Sequence, residues 1–214
     1  PQASRSEVYC IDLKDYGIYS FGKICEKNHR DSKDDVPGCE VFYDDKPMLT
    51  ARYPNAAADG KQVYLITGDA SGEESTEFGY TDETLENAVS FDDATVEGWM
   101  TNGYDYKSTK IDSIDTENNI LKVKQSDEYR KNGRYFINNI PEALDTENEY
   151  YLDRGTGILY MIPEGDITNA DIAVSVFGEN VSEPVIRTNR ASYIVFNGFT
   201  ITNCRSGGIY VYGG

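Results

Sequence analysis

Between Asp171 and Tyr212, short runs of alternating apolar residues recur about every twenty residues, and few architectures accommodate such a pattern. In "DIAVSVF", Ile172, Val174 and Val176 fall on one face of an extended strand; in "YIVFNG", Ile194 and Phe196 do the same. Phe199 and Ile201 occupy the next run, and Ile209 and Val211 the last. Successive side chains of a strand point to opposite faces, so each run presents one apolar face that needs a cover. Three short strands per repeat, with corners at Asn197-Gly198 and over Cys204 to Gly208, match a solenoid in which each coil covers the next. The pattern predicts that residues 171–214 open a right-handed parallel β-helix, with Ile172, Val174, Ile194, Phe196, Phe199, Ile201, Ile209 and Val211 inward. A solenoid needs about three coils to bury its faces, and fewer than two are legible. Either the preceding region caps these strands, or further coils follow in a longer parent chain from which this one is truncated.

That preceding region, residues 1–170, reads as a β-rich N-terminal domain. Tyr 17 and Gly 19, with frequent Asn-Gly, Asp-Gly and Gly-Gly steps, favour short strands joined by tight turns. "VYCIDLKDYGIYSFGKI" alternates and turns at Gly17 and Gly22, giving one or two strands. "CEVFYDDKPMLTARYPN" carries a hairpin signal, with Val41, Tyr43 and Met48 flanking an Asp-Asp-Lys-Pro turn. Residues 56–148 form a more polar insertion with strands at "QVYLITG", "TVEGWMTN", "STKIDSID", "NILKVKQ" and "GRYFINN", and one short amphipathic helix at "TDETLENAV". A second hairpin, "NEYYLDRGTGILYMIPEG", turns at Gly155, Thr156 and Gly157. The expected fold is therefore mostly β: a β-sandwich-like N-terminal region leading into the first coils of a right-handed parallel β-helix.

Charge narrows the partners. Lys+Arg 20 against Asp+Glu 37 gives a formal net charge of -17, which repels phosphate backbones and argues against nucleic acid. No run reaches the roughly 18 apolar residues of a membrane helix, so membrane insertion is not expected, and no signal peptide opens the chain. The start at "PQAS", without Met, points to a processed or excised chain. Cys10, Cys25, Cys39 and Cys204 allow three pairings; Cys25 with Cys39, closing the loop "EKNHRDSKDDVPG", is favoured, with four free thiols the alternative. No zinc pattern exists, because there is no close cysteine pair and the sole histidine, His29, sits in a polar loop without a Ser or Cys partner. Asn180-Val181-Ser182 is a glycosylation sequon if the source is eukaryotic.

Three stretches, "EVFYDDKPMLTARYPN" (Glu40 to Asn55), "NEYYLDRGTGILYMIPEG" (Asn148 to Gly165) and "ASYIVFNGFTITNCRSGGIYV" (Ala191 to Val211), resemble the N-terminal regions of secreted right-handed parallel β-helix proteins that act on polysaccharides, namely glycoside hydrolases and pectate-lyase-like enzymes. Residues 60–140 carry no part of this resemblance. It implies an extracellular or cell-surface location, a polysaccharide or oligosaccharide partner, and further β-helix coils of the parent chain. In that family the catalytic carboxylates lie on later coils. No catalytic residue is therefore carried over, and the resemblance implies that this chain alone is inactive.

Sugar rings present apolar C–H faces that stack on flat aromatic rings, while polar tips bond hydroxyls. "EGWMTNGYDYKS" gathers Trp99, Tyr104 and Tyr106 beside Asn102 and Asp105, a mixture suited to a neutral glycan. The plain alternative is that Trp99 is core and the tyrosines are ordinary strand residues. Tyr210 and Tyr212 alternate with Val211, so both face outward if Val211 faces inward; on a β-helix that outer face is where the resemblance places substrates. Covering an edge is their plainer role. The acidic groups Asp69, Glu73, Glu74 and Glu77, then Asp92, Asp93 and Glu97, then Asp112, Asp115 and Glu117, could each offer oxygen ligands to Ca²⁺. None has EF-hand spacing, solvated turns are the favoured reading of each, and no cofactor is required. Paired carboxylates for glycoside cleavage cannot be chosen among so many acids.

Three functions fit: a non-catalytic N-terminal portion of a carbohydrate-active β-helix protein, which caps the helix and contacts glycan; a stand-alone carbohydrate-binding module; and a structural or adhesive surface module without ligand.

Overall fold

A computed structural model describes residues 7–22, 24, 38–57, 59–82, 91–176, 184–204 and 207–213. The helix read at "TDETLENAV", Cys25, His29 and the sequon lie wholly or mainly outside these residues.

The chain is mostly β, and the described residues form sixteen strands in chain order: β1 Tyr9–Asp12, β2 Val41–Tyr43, β3 Lys46–Pro47, β4 Leu49–Thr50, β5 Arg52–Tyr53, β6 Leu65–Ile66, β7 Glu74–Gly79, β8 Thr95–Trp99, β9 Lys107–Asp115, β10 Ile120–Glu128, β11 Arg134–Asn138, β12 Glu149–Asp153, β13 Ile158–Ile162, β14 Ile172–Val174, β15 Ile186–Asn189 and β16 Ile209–Tyr212. They form a four-stranded sheet ordered β1-β13-β12-β4, a seven-stranded sheet ordered β5-β11-β8-β9-β10-β7 with β6 also on β11, a three-stranded sheet β14-β2-β3, and the pair β15-β16. All pairings are antiparallel except β12 with β4 and β15 with β16.

Both expected hairpins form. Asp44 and Asp45 have φ of 48° and 61°, the two left-handed positions of a tight two-residue turn, and set Tyr43 opposite Lys46. In the β12–β13 turn the Asp153 carboxylate accepts the amides of Gly155 (2.9 Å) and Thr156 (3.1 Å). Gly157 then turns with φ of 86°, at a position where a Cβ would meet the Phe21 ring at 2.4 Å. Only glycine fits there. Among the described residues of the opening segment β1 is the one strand; Leu13–Tyr16 form a 3-10 turn that ends at Gly17.

Two apolar cores result. The smaller gathers Leu13, Cys39, Val41, Met48, Tyr150, Leu152, Leu159 and Met161 beneath the four- and three-stranded sheets. The larger lies on one face of the seven-stranded sheet, around Phe78, Val96, Met100, Ile111, Leu121, Tyr129, Tyr135 and Ile137. The stretch 56–148 thus supplies most of the larger core. One of its strands was not foreseen: β7, "ESTEFG", falls in the acidic stretch read as a turn. Its Phe78 packs on Tyr129 (ring centroids 5.1 Å) and Tyr135 (5.4 Å), anchoring a strand whose remaining side chains face water.

The C-terminal segment departs from the expected burial. Ile172 and Val174 join an antiparallel ladder against β2 and pack on the smaller core, instead of beginning a coil. Among the described residues of this segment, parallel pairing joins β15 and β16, which match Ile186 to Ile209 and Asn189 to Tyr212, partners 23 residues apart. The residues expected inward are largely open: Phe199 is 69% exposed, Val211 63% and Ile194 52%, while Ile201 is half-buried. The alternation is present, but nothing among the described residues covers its face.

Candidate functional site, an aromatic groove at the sheet seam

The pairing of β8 with β11 sets Thr95 opposite Asn138, Glu97 opposite Phe136 and Trp99 opposite Arg134. Strand alternation places these six on the face opposite Val96, Tyr135 and Ile137, which fill the larger core. Gly98 allows the strands to meet this closely, since a Cβ there would lie 2.2 Å from the Arg134 carbonyl oxygen. Trp99, Phe136 and Asn138 of that outward face line one side of a groove of about 430 Å³, and Met48, Leu49, Thr50 and Tyr150, from β4, β12 and the approach to them, line its other side. The chain passes directly from β4 in one sheet to β5 in the other, so the seam is built into consecutive residues.

Trp99 stands edge-on to Tyr106 (5.0 Å, 76°) and to Tyr64 (5.7 Å, 74°), and Tyr64 tilts against Phe136 (6.1 Å). The Arg134 guanidinium lies 5.1 Å above Trp99 and 5.6 Å from the Tyr64 ring. Arg52, almost wholly buried, stacks 3.7 Å over Phe136 and donates to the carbonyls of Pro54 (3.0 Å) and Val63 (2.8 Å) and to the Gln62 amide oxygen. Burial lowers its pKa from the ordinary value, while Tyr64, Tyr106, Glu149 and Glu97 oppose that fall.

Glu97 lies beneath the rings and accepts from the Tyr106 hydroxyl (2.7 Å), the Asn138 amide (2.9 Å) and Thr95 Oγ1 (3.3 Å). Such donors compensate a buried carboxylate for lost water. Burial, then the Glu97 charge, pushes the Tyr106 hydroxyl well above the usual range, so it remains a donor at any ordinary pH. At the seam, Glu149 is buried with neither carboxyl oxygen in a hydrogen bond of normal geometry. Burial pushes its pKa up to about 8; Asp145 adds to the rise, and the backbone amides of Asp145, Thr146 and Arg52 oppose it without reaching that geometry.

Of the sequence candidates, Trp99 and Tyr106 meet in the groove. Tyr104 is 85% exposed on the following turn and does not line it. Tyr210 and Tyr212 lie on β16, about half exposed, with the Arg187 guanidinium 5.7 Å from the Tyr210 ring. Arg52, Gln62, Tyr64, Phe136 and Asn138 were missed. The signal for three of the groove-face residues was available in "GRYFINN", where Arg134, Phe136 and Asn138 alternate with the core residues Tyr135 and Ile137. Four of the acidic residues have local partners: Asp93 pairs with Lys110 (3.0 Å) and Arg154 (2.9 Å), Asp69 with Lys131 (2.6 Å) and Asp112 with Lys124, while Asp115 caps the turn amides of Glu117 and Asn118. Among the described residues no group of three or more His, Cys, Asp or Glu is placed to hold a metal, and no helix is long and apolar enough to cross a membrane.

Among solved structures the fold is similar to that of a glycoside hydrolase, with a TM-score of 0.50 at 12% identity over 64% of this chain and 26% of that one. The chain thus spans about a quarter of that protein, and at this identity the likeness is one of fold. No family model and no curated protein matches the chain.

Proposed function

We propose that this chain is the N-terminal, non-catalytic portion of an extracellular carbohydrate-active protein, in which it caps a right-handed parallel β-helix and contacts glycan. The observation that carries the reading is the parallel pair β15–β16 at a 23-residue spacing, flanked by an uncovered row of apolar residues from Ile194 to Val211. One rung of parallel ladder with an open apolar face is the form in which a solenoid begins, because each coil relies on its neighbour for burial. The fold likeness to part of a glycoside hydrolase agrees with such a place in a larger protein. Polysaccharide or oligosaccharide is the partner, and the coils of the parent chain supply the missing cover.

The test is to express this chain alone and the same chain extended by whatever follows Gly214 in its reading frame. Further coils of about twenty residues, a loss of hydrophobic-dye binding and a raised melting temperature are expected for the longer form. A reading frame that stops near Gly214, or an extension that leaves dye binding unchanged, overturns the capping role. The chain alone should release no reducing ends and no unsaturated products from plant and bacterial polysaccharides. Release that vanished on changing one acidic pair would make it an enzyme.

The aromatic groove favours a second reading, a carbohydrate-binding module that works by itself. Glycan binding by the isolated chain with no continuation of the reading frame would select it.

A further inference from the structure

We infer that the groove at the seam of the two sheets binds an uncharged saccharide segment, stacked on Trp99 and Tyr64 and held by the amides of Gln62 and Asn138. The inference rests on the carbohydrate reading above and gives it a place and a ligand class. Trp99 and Tyr64 both line the groove, each half-buried, with ring planes 74° apart, so a ligand ring can stack on one while it meets the other edge-on. Gln62 uses its amide oxygen on Arg52, which leaves its NH₂ group as a donor. Asn138 uses its NH₂ group on Glu97, which leaves its amide oxygen as an acceptor. A neutral donor and a neutral acceptor lining the same groove as these rings suit sugar hydroxyls beside a stacked C–H face.

The charges in the groove point away from an anionic ligand. The Arg52 guanidinium already donates to two backbone carbonyls and to Gln62, and it stacks on Phe136. Glu97, behind the lining, is held by Tyr106, Asn138 and Thr95, and Glu40 lines the groove itself. Arg134 is the exposed cation over the rings, in a chain whose formal net charge is -17. A polyuronate would meet repulsion at long range from the net charge, with the exposed Arg134 to set against it at short range.

Affinity electrophoresis in gels containing glucomannan, xyloglucan, galactan or polygalacturonate tests this. The wild-type chain should be retarded by at least one neutral polymer, with little dependence on salt. Tyr64→Ala and Gln62→Ala should weaken that retardation about threefold to tenfold, the range of a lost stacking or hydrogen-bond contact. Gln62 is exposed but accepts from the buried Arg52, so its variant should melt slightly lower while staying folded at the assay temperature, which a melt run beside each gel checks. Tyr104→Ala should bind as wild type. Retardation by a neutral polymer that survives both groove changes rejects the groove and leaves glycan binding elsewhere. Retardation only by polygalacturonate, abolished by salt, rejects the ligand class. Retardation by none rejects the site and the glycan contact, while the capping role stands or falls separately on the extended chain.

Discussion

The antiparallel body and the C-terminal parallel pair use the same alternation of apolar residues and bury it to very different extents. In β12 and β13, Leu152 and Leu159 are fully enclosed by the smaller core. In β16, Ile209 and Val211 alternate just as regularly, and both stand in the open. Alternation determines which side chains share a face; it does not supply the layer that covers that face. The body closes because hairpins fold sheets back over one another, whereas a parallel rung gains its cover only from the rung stacked on it.

The largest expected effect falls in the body. Phe78→Ala removes a ring packed on Tyr129 and Tyr135 and should cost about 3–5 kcal/mol, read as a shifted denaturant midpoint. If Phe199→Ala proved equally costly, the contrast between the regions would collapse.

Glu149 gives the next effect, at the seam. Its carboxyl has a pKa of about 8 when folded, against about 4.5 as the ordinary value. Between those values the unfolded chain releases a proton that the folded one keeps, so stability should fall as pH rises from about 4.5 to 8 and level off above. Glu149→Gln should remove this slope and stabilise the chain by a few kcal/mol at pH 8, on the order of the linkage expected for such a shift. Melts across that window that overlay for both proteins would show that the carboxyl is not held neutral.

Trp99→Ala should have an intermediate effect, about 1–3 kcal/mol, because the indole is half-buried against Tyr64 and Tyr106 and not enclosed in either core. A complete loss of fold would make Trp99 a core anchor, as its plainer reading holds. Smallest of all, Val211→Ala should change stability by less than about 0.5 kcal/mol in this chain, the usual size of a surface substitution. A larger cost would mean that the β16 face is already covered.

Much of the body was legible because its signals are local. The Asp44-Asp45 and Gly155-Thr156-Gly157 turns predict hairpins from a few residues, and β8 to β11 announce themselves by alternation. β7 was hidden because its outward residues are acidic and its single core anchor, Phe78, stands near its end. The groove was half legible. Trp99 and Tyr106 drew attention by lying close in sequence, but so did Tyr104, which the turn carries away into solvent.

The sequence by itself determined that the chain is β, where its hairpins turn, and which residues of each strand share a face, because period-2 alternation and turn chemistry act over a few residues. Only the tertiary structure decided that Arg52, Tyr64, Phe136 and Asn138 would gather with Trp99 on one side of the seam, that Glu97 would become a buried anion beside them, and that the last apolar faces would lie open. Those outcomes depend on which strands become neighbours, and contacts between residues tens of positions apart leave no local trace in the chain.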